Sequence, residues 1–280
     1  MPELPEVETI RRKLKTEIIG RTIKSVEILE PKQFFGDPQT IIGKKVTDIL
    51  RKGKYLSIAL SDNLFINIHL KMSGQIIWVE DMNNPVIKNP IPRLQTNRLP
   101  ASITRVIIKF TDNSALFYND MRKFGWVKIG DAPEGPKSAD VAGEEFTLEY
   151  FQKVLKNSRK PIKTFLLDQD KLAGVGNIYD NDALWVAQIH PSRLAGALNE
   201  AEQKQLYEAI KEVIAEGIKY GGSSARDENY IMPDGSLGEY QKHFKVYHRH
   251  GQPCHRCGEE IKRITIGGRG TFYCPKCQLL

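Results

Sequence analysis

The sequence predicts a two-domain α+β protein, in which an N-terminal antiparallel β-sandwich with a flanking helix precedes a helical region that ends in a cysteine-bearing module. Three observations support this prediction. The chain has 280 residues, of which 40% are hydrophobic, and this is enough for two packed cores. Strand-like segments dominate before Gly130, and helical periodicity dominates after Gly143. All four cysteines lie beyond Gly251.

The first element is a predicted amphipathic helix over residues 5–19. Pro5 is suited to the first turn of a helix, and Gly20 is suited to its end. Apolar residues recur at intervals of three or four positions, namely Val7, Ile10, Leu14 and Ile18. This stripe must pack against another layer.

A series of short strands follows, separated by turn-type residues such as Ser61–Asn63 and Thr111–Asn113. The predicted strands span residues 22–29, 45–50, 55–60, 64–70, 74–80, 104–110, 114–119 and 124–129. Residues 81–103 form an insertion with no clear period. So many short strands favour an antiparallel sandwich.

The segment from Gly130 to Gly143 contains prolines and glycine and is predicted to be a linker. Helices are predicted beyond it, over residues 147–157, 162–171, 177–188 and 200–219. Gly221–Gly238 is rich in glycine and charge, and we expect a mobile loop there. The predicted domains are therefore 1–135, 136–238 and 239–280.

Net charge is +7, and the last 40 residues account for +6 of it. This asymmetry indicates a polyanionic partner, although a solvated basic face would look the same. No apolar run approaches the roughly 20 residues that span a bilayer, and the N-terminus lacks a secretory pattern. We expect a cytoplasmic, nucleoid-associated protein that does not contact membranes.

The cysteines form two pairs with the spacing of a zinc ribbon: Cys254 and Cys257, then Cys274 and Cys277. Four thiolates complete a tetrahedron and leave no open position, so the Zn²⁺ is expected to be structural. Two disulfides are the alternative, which a reducing cytosol disfavours. The nearby histidines could replace a ligand, but four cysteines suffice. We expect neither a catalytic metal nor an organic cofactor.

Residues Pro2–Glu8 place two prolines and three acids at the start of the first helix. Acids are favoured there by the helix dipole, and capping alone would explain them. The alternative is chemical. Removal of Met1 would leave Pro2 as a secondary amine with a pKa of about 8. Such an amine can attack the anomeric carbon of a sugar and form an iminium ion, while Glu3 protonates the ring oxygen.

The run Pro-Glu-Leu-Pro-Glu-Val-Glu resembles the N-terminal signature of bacterial formamidopyrimidine-DNA glycosylases, which excise oxidised purines, and similar segments continue through most of the chain. Leu4 stands where related endonuclease VIII enzymes usually have glycine, which favours the purine branch. The resemblance implies that Pro2 is the nucleophile and Glu3 its acid. It also implies a helix-two-turn-helix domain, with DNA bound across the cleft between the two halves.

Arg51–Leu56 resembles the family hairpin that carries a catalytic lysine, and that position is Lys54. By residue type alone, a lysine in a turn is usually solvent-exposed. His69 lies in a segment that resembles the one whose histidine contacts a DNA phosphate.

The resemblance also implies that Met72, Arg122 and Phe124 form a wedge, which fills the space left by an everted nucleotide. By residue type alone, Met72 and Phe124 are more typical of a hydrophobic core.

Lys163–Pro191 resembles the helix-two-turn-helix of the family, whose glycine-rich turn and helix N-terminus bind phosphate. Asn177 is expected to add its side-chain amide, and Arg159 and Lys163 are expected to bind phosphate. In the zinc module, Arg269 is expected to grip phosphates and support catalysis, and Tyr247 to make a further phosphate contact.

Three departures from the family pattern stand out. Ser102–Arg105 stands where the family often has a Lys-His-x-His run. A phosphate-contacting histidine is therefore missing, and Arg105 could take its place. His248 stands where the family has glycine between tyrosine and arginine, which could alter a hinge. Asp182 replaces a glutamate, so its contact is expected to be longer.

The sequence thus predicts a monomeric, bifunctional DNA glycosylase and abasic-site lyase of base-excision repair. Its expected partner is double-stranded DNA with oxidised bases or abasic sites, and its expected product follows β,δ-elimination. Two alternatives remain: an endonuclease VIII-like glycosylase for oxidised pyrimidines, and a non-catalytic nucleic-acid-binding protein built around the zinc ribbon.

Overall fold

The computed structural model describes residues 2–91, 94–224 and 230–280. The chain forms two compact units. Unit 1 comprises Met1–Gly135 and Tyr220–Glu239, and unit 2 comprises Pro136–Lys219 and Tyr240–Leu280. The predicted α+β class, with its N-terminal sandwich and helical C-terminal half, is confirmed.

Unit 1 begins with helix α1, Leu4–Glu17, one residue before the predicted start. Its apolar stripe is fully buried and packs in the core of the sandwich, as the spacing of Val7, Ile10 and Leu14 predicts. Glu3 and Glu6 form a capping box at its N-terminus, in which each side chain accepts a hydrogen bond from the backbone of the other.

Eleven strands follow among the described residues of unit 1, and all eight predicted strands are among them. Their bounds are β1 Ile23–Ile28, β2 Phe34–Phe35, β3 Val46–Lys52, β4 Tyr55–Leu60, β5 Phe65–His69, β6 Gly74–Val79, β7 Val86–Ile91, β8 Thr96–Arg98, β9 Thr104–Phe110, β10 Ala115–Asp120 and β11 Trp126–Gly130. One sheet has the order β1-β9-β10-β6, and the other has the order β2-β11-β5-β4-β3. Neighbours are antiparallel except β2 and β11. Buried side chains from both sheets share one core cluster with α1.

The insertion over residues 81–103 contains a hairpin, β7–β8, that periodicity did not predict. Its apolar residues Ile87 and Ile91 join a second cluster with Phe117 and Ile231. The backbone of Gly235 lies so close that an added Cβ would meet the Ile87 side chain at 2.8 Å. Tertiary packing therefore stabilises this hairpin.

Tyr220–Glu239 was assigned by sequence to the helical domain, but its described part packs within unit 1. The Ser223 amide donates to the Glu6 carboxylate at 2.7 Å, and the Trp78 amide donates to the Pro233 carbonyl at 2.8 Å. The centre of the predicted mobile loop, residues 225–229, lies outside the described residues.

Unit 2 contains four helices and a two-stranded ribbon among its described residues. Their bounds are α2 Leu148–Leu155, α3 Ile162–Leu166, α4 Asn177–Val186, α5 Glu200–Lys219, β12 Lys262–Ile266 and β13 Arg269–Tyr273. A small core joins Trp185 of α4 to Val246, Phe272 and the cysteines. In the described part of the chain, none of the helices has the length and apolarity that a bilayer crossing requires.

Candidate functional site

The N-terminal residues Pro2 and Glu3 are buried at the start of α1, and Glu3 is only 2% exposed. The Glu3 amide donates to Glu6 Oε2 at 2.7 Å, so the predicted capping role of the acids is real. Glu6 also receives the Ser223 amide, which ties the Tyr220–Glu239 segment to the same helix end. The capping acids thereby hold Pro2 and Glu3 in a defined position.

A chain of ionic hydrogen bonds connects α1 to the β3–β4 hairpin. Arg51 donates to Glu8 at 2.9 Å and to the Gly53 carbonyl at 3.0 Å. Burial alone would raise the pKa of Glu8, but its hydrogen bonds with Arg11, Arg12 and Arg51 outweigh burial and lower the pKa to about 2. Glu8 therefore stays ionised and anchors the hairpin.

Lys54 occupies the tip of that hairpin. Lys52 pairs with Tyr55, so Gly53 and Lys54 form a two-residue turn. Gly53 has φ +57°, which suits glycine at the first central position of a tight hairpin. Lys54 is 8% exposed, so this turn lysine is not the solvent-exposed side chain that residue type favours.

His69, at the end of β5, is buried and neutral. Burial and the charges of Lys71 and Lys54 lower its pKa to about 3. The Lys71 amide donates to His69 Nδ1 at 3.0 Å, so the imidazole proton resides on Nε2. The edge of the ring contacts Tyr55, with centroids 4.5 Å apart. A neutral Nε2–H is a suitable donor to a phosphate oxygen.

The predicted wedge residues lie on two neighbouring loops, 70–73 and 121–125. Phe124 is 54% exposed, so it is not a core residue. The Arg122 guanidinium carbon lies 4.9 Å from the centre of the Phe124 ring, and Met72 is half-buried. Ser73 Oγ accepts the Arg122 amide at 2.9 Å and so joins the two loops.

In unit 2, Asn177 begins α4 and donates its side-chain amide to the Gly270 carbonyl at 3.2 Å. Arg159 is exposed just before α3. The structure corrects the prediction for Lys163, which is fully buried and donates to Asp180 at 2.7 Å. Because an unpaired buried charge is costly, this lysine joins α3 to α4 and does not reach a phosphate at the surface.

A cavity of about 400 Å³ brings the predicted phosphate ligands Asn177 and Tyr247 together. His248, His250 and Arg263 also line it, together with Gly270 and Phe272. The sequence predicts His248 and His250 only as surface or phosphate-facing groups, and Arg263 was not selected as a ligand, although its basic side chain is a signal that could have indicated it. A cavity with these donors suits an anion.

Arg269 follows the turn of the β12–β13 hairpin and is exposed. Gly267 and Gly268 have φ +55° and +73°, as the two central positions of a type I′ turn require. An added Cβ at Gly267 would meet Thr164 at 2.5 Å, so the turn packs tightly against α3. This rigid turn fixes the backbone from which the guanidinium projects.

The four cysteines are free thiols, and their Sγ atoms all lie within 4.8 Å of one another. The Sγ atoms of Cys257 and Cys277 lie 3.4 Å apart, those of Cys257 and Cys274 lie 3.5 Å apart, and those of Cys254 and Cys277 lie 4.0 Å apart. These separations are close to the edge of about 3.8 Å expected for a tetrahedral Zn–S₄ site. Trp185 Nε1 donates to Cys254 at 3.3 Å. Burial alone would raise the pKa of the Cys254 thiol, but backbone and indole donors lower it to about 6. The site fits one structural Zn²⁺.

The three sequence departures have structural counterparts. Arg105 donates to the Asp120 carbonyl at 2.9 Å, so its guanidinium braces the 121–125 loop. His248 has φ +55°, a conformation that favours glycine. Asp182 accepts the Val246 and Tyr247 amides at 3.0 and 3.1 Å, which are ordinary hydrogen-bond lengths.

Comparison with known proteins agrees with this arrangement. Three family models match consecutive parts of the chain: the formamidopyrimidine-DNA glycosylase N-terminal domain over residues 1–127, the H2TH domain of these enzymes over 138–229, and the zinc finger found in FPG and IleRS over 251–279. The formamidopyrimidine-DNA glycosylase of Pelotomaculum thermopropionicum is 39% identical to this chain, and the alignment covers 99% of both chains. The formamidopyrimidine-DNA glycosylase of Thermus thermophilus is 36% identical, and the alignment covers 99% of this chain and 98% of the relative. The chain belongs to the formamidopyrimidine-DNA glycosylase family.

Solved structures of the family have the same fold. The Lactococcus lactis Fpg in complex with DNA that contains an abasic site superposes with a TM-score of 0.85, at 33% identity and 100% coverage of both chains. The Fpg protein of Thermus thermophilus also gives 0.85, at 34% identity, covering 99% of this chain and 98% of its own. The predicted fold and family are thus confirmed, with the zinc finger included.

Proposed function

We propose that this chain acts as a bifunctional DNA glycosylase and abasic-site lyase of base-excision repair, with Pro2 as its nucleophile. The observation that supports this most directly is the buried Pro2–Glu3 pair, held at the start of α1 by the capping box. Capping and catalysis are compatible, because the hydrogen bonds of Glu6 fix the backbone that presents Pro2.

Removal of Met1 leaves the Pro2 nitrogen as a secondary amine, and its lone pair attacks C1′ of the damaged nucleotide. The bond between C1′ and the base breaks, and the base leaves with that electron pair and with the proton that the Pro2 nitrogen loses. Glu3 protonates the sugar ring oxygen as the ring opens. The product is a cationic iminium ion that joins Pro2 to the opened sugar.

The iminium ion acidifies the adjacent C2′ hydrogens, and loss of a C2′ proton expels the 3′ phosphate. A second elimination expels the 5′ phosphate and leaves a one-nucleotide gap. Water then hydrolyses the iminium and regenerates the amine. Lys54, buried at its hairpin tip, assists the proton transfers, and Arg269 neutralises phosphate charge.

Double-stranded DNA is the proposed partner of a monomeric enzyme in the cytoplasm, near the nucleoid. His69, Arg159, Asn177 and Tyr247 bind its phosphates, and Met72, Arg122 and Phe124 enter the stack. Zinc bound by the four cysteines would hold the β12–β13 hairpin rigid, and the proposed chemistry uses the Pro2 nitrogen, side chains of the protein and water.

Borohydride trapping on DNA with an abasic site tests the nucleophile. We expect a covalent adduct with the intact chain and none with Pro2→Gly combined with Glu3→Gln. Ser114→Ala, at a buried serine away from α1, is the control and should trap normally. Absence of an adduct with the wild type, or an unchanged adduct in the double variant, would contradict the proposal.

The state of the N-terminus needs its own measurement. Intact mass should show the loss of Met1. An N-terminally extended chain should bind DNA without cutting it, because its proline nitrogen would be an amide. Strand scission by a blocked N-terminus would exclude Pro2 as the nucleophile.

The proposed lesion class is oxidised purines, including formamidopyrimidines. Excision rates on 8-oxoguanine opposite cytosine and on thymine glycol compare this class with oxidised pyrimidines. We expect the former to be faster. Preference for thymine glycol would favour the endonuclease VIII-like alternative.

A further inference from the structure

One buried carboxylate, Asp120, lies between the two loops that carry the proposed wedge. It is the last residue of β10 and is fully buried. On its own loop, the amides of Arg122 and Gly125 donate to its two oxygens at 3.2 and 2.8 Å. From the other loop, Ser73 Oγ donates to Oδ1 at 2.5 Å.

Two further donors come from elsewhere in unit 1. Gln33 Nε2 donates to Asp120 Oδ2 at 2.9 Å and to the Gly125 carbonyl at 2.8 Å. The Tyr118 hydroxyl lies 3.5 Å from Oδ2, and burial together with the Asp120 charge raises the pKa of Tyr118, so it remains a donor. The carboxylate thus receives bonds from both loops and from the sheet beneath them.

The loops themselves are under conformational strain. Lys71, next to Met72, has φ +49°, and Lys123, between Arg122 and Phe124, has φ +55°. Side chains rarely adopt this region, and such conformations persist where the surroundings over-determine them. An added Cβ at Gly125 would meet the Tyr118 hydroxyl at 2.1 Å, so only glycine fits at this position, where the second loop leads into β11.

We propose that Asp120 is a positioning residue that makes Met72, Arg122 and Phe124 enter the duplex as one unit, with Ser73 as the link between the two loops. The inference rests on the proposed function, because it requires that these side chains contact DNA. Asp120 itself touches neither the sugar nor the base.

Ser73→Ala is the sharpest test, because it removes the side-chain link between the loops and leaves the bonds of Asp120 to its own loop. Ser114→Ala is the matched control. Ser114 is also buried, also donates to an aspartate, and lies beside the opposite end of β10. A third variant, Asp120→Asn, keeps the size of the side chain but replaces an acceptor oxygen with a donor.

The readouts separate wedge insertion from chemistry. Fluorescence of 2-aminopurine, placed opposite a reduced abasic site in a duplex, reports unstacking as the wedge enters. Excision of 8-oxoguanine from a duplex reports the complete reaction. Borohydride trapping on a single-stranded abasic oligonucleotide reports the nucleophile alone, since that substrate has little stacking to replace.

For Ser73→Ala we expect the fluorescence rise at saturating protein to fall by more than about half and duplex excision to fall about tenfold, the ratio that corresponds to one hydrogen bond with a charged acceptor. Single-strand trapping should stay within about twofold of wild type. Asp120→Asn should lower fluorescence and excision further. If it does not fold, Ser73→Ala decides the matter.

Unchanged fluorescence and excision in Ser73→Ala would overturn the inference. An equal fall of duplex excision and single-strand trapping would also overturn it, because a general loss of structure predicts that result. If the proposed function were wrong, the result would be distinguishable from these outcomes, because the wild type itself would then form no trapped adduct.

Discussion

Asp120 of unit 1 and Asp182 of unit 2 are both fully buried, and both accept backbone amides from segments that carry proposed DNA-binding side chains. Their surroundings differ. Asp120 is surrounded by polar side chains, whereas Asp182 lies on α4, and Trp185 of the same helix donates to a cysteine of the zinc site. Unit 1 thus sets the conformation of its wedge loops with buried hydrogen bonds, and unit 2 combines hydrogen bonds with a metal site.

The two solutions suit different local structures. The loops of unit 1 leave a sandwich whose hydrophobic core already fixes their ends, so a few buried polar bonds suffice to set their conformation. The ribbon of unit 2 has only two short strands and a small core. A segment of this kind needs a metal to offset its conformational entropy.

Metal removal should show the largest difference between the units. With a chelator, we expect residues 250–280 to lose hydrogen-exchange protection, because a structural zinc contributes on the order of 10 kcal/mol. Amides of α1 and β10 should retain theirs. Duplex DNA binding should fall strongly, since Arg269 and Tyr247 lose their support. Equal loss of protection in both units would contradict the comparison.

Acid should affect unit 1 through Glu8. Its folded-state pKa is about 2, below the ordinary 4.5, so its stabilising contribution is complete above about pH 4.5 and disappears as the pH falls toward 2. The difference between these two pKa values limits the contribution of Glu8 to the free energy of unfolding to about 3 kcal/mol. Glu8→Gln should therefore destabilise unit 1 at pH 7 and show a smaller stability loss between pH 5 and pH 2 than wild type. Chemical denaturation at each pH measures this, and parallel pH profiles would contradict it.

Asp182→Asn probes the corresponding bonds of unit 2. Both amides bind Asp182 Oδ1, so in the variant the new amide nitrogen faces the Tyr240 hydroxyl, which donates to Oδ2 at 3.1 Å, and the loss of that bond to a carboxylate should cost about 2 kcal/mol. Burial raises the pKa of Asp182, which means that the buried charge itself is unfavourable, and its removal offsets part of the cost of the lost bond. We therefore expect a smaller loss of stability than metal removal causes. Thermal unfolding with zinc bound is the measurement. A stability equal to wild type would mean that the metal alone holds this segment.

His248→Gly should have the smallest effect. Relief of the positive φ should stabilise unit 2 by at most about 1 kcal/mol, offset by the loss of the ring contact with Phe272. Asn157→Gly is the control, because Asn157 has φ +62° and is exposed. A lower melting temperature for His248→Gly, with a gain for Asn157→Gly, would show that the imidazole contact outweighs the strain.

Local patterns predicted much of this molecule. The stripe of α1 places it within two residues of its observed bounds, because burial of a periodic face determines helix position. The cysteine spacing likewise indicated the metal site, since two adjacent knuckles can close a tetrahedron without knowledge of the rest of the chain. The Pro2–Glu3 pair was selected from chemistry and resemblance, and its role stays a proposal.

Other features depended on residues that are far apart in the chain. The β7–β8 hairpin has no period of its own and is ordered by contact with residues 231–236. Lys163 looked like a surface cation, but its charge is neutralised by Asp180 in the interior.

By itself, the sequence determined what local periodicity and ligand spacing encode: the sandwich strands, α1, the helical half and the zinc ribbon. Only the tertiary structure decided which side chains share a partner, such as those of Gln33 and Ser73 around Asp120. The physical reason is that a hydrogen bond requires atoms within about 3 Å. Residues 40 to 90 positions apart meet that condition only after both sheets have formed.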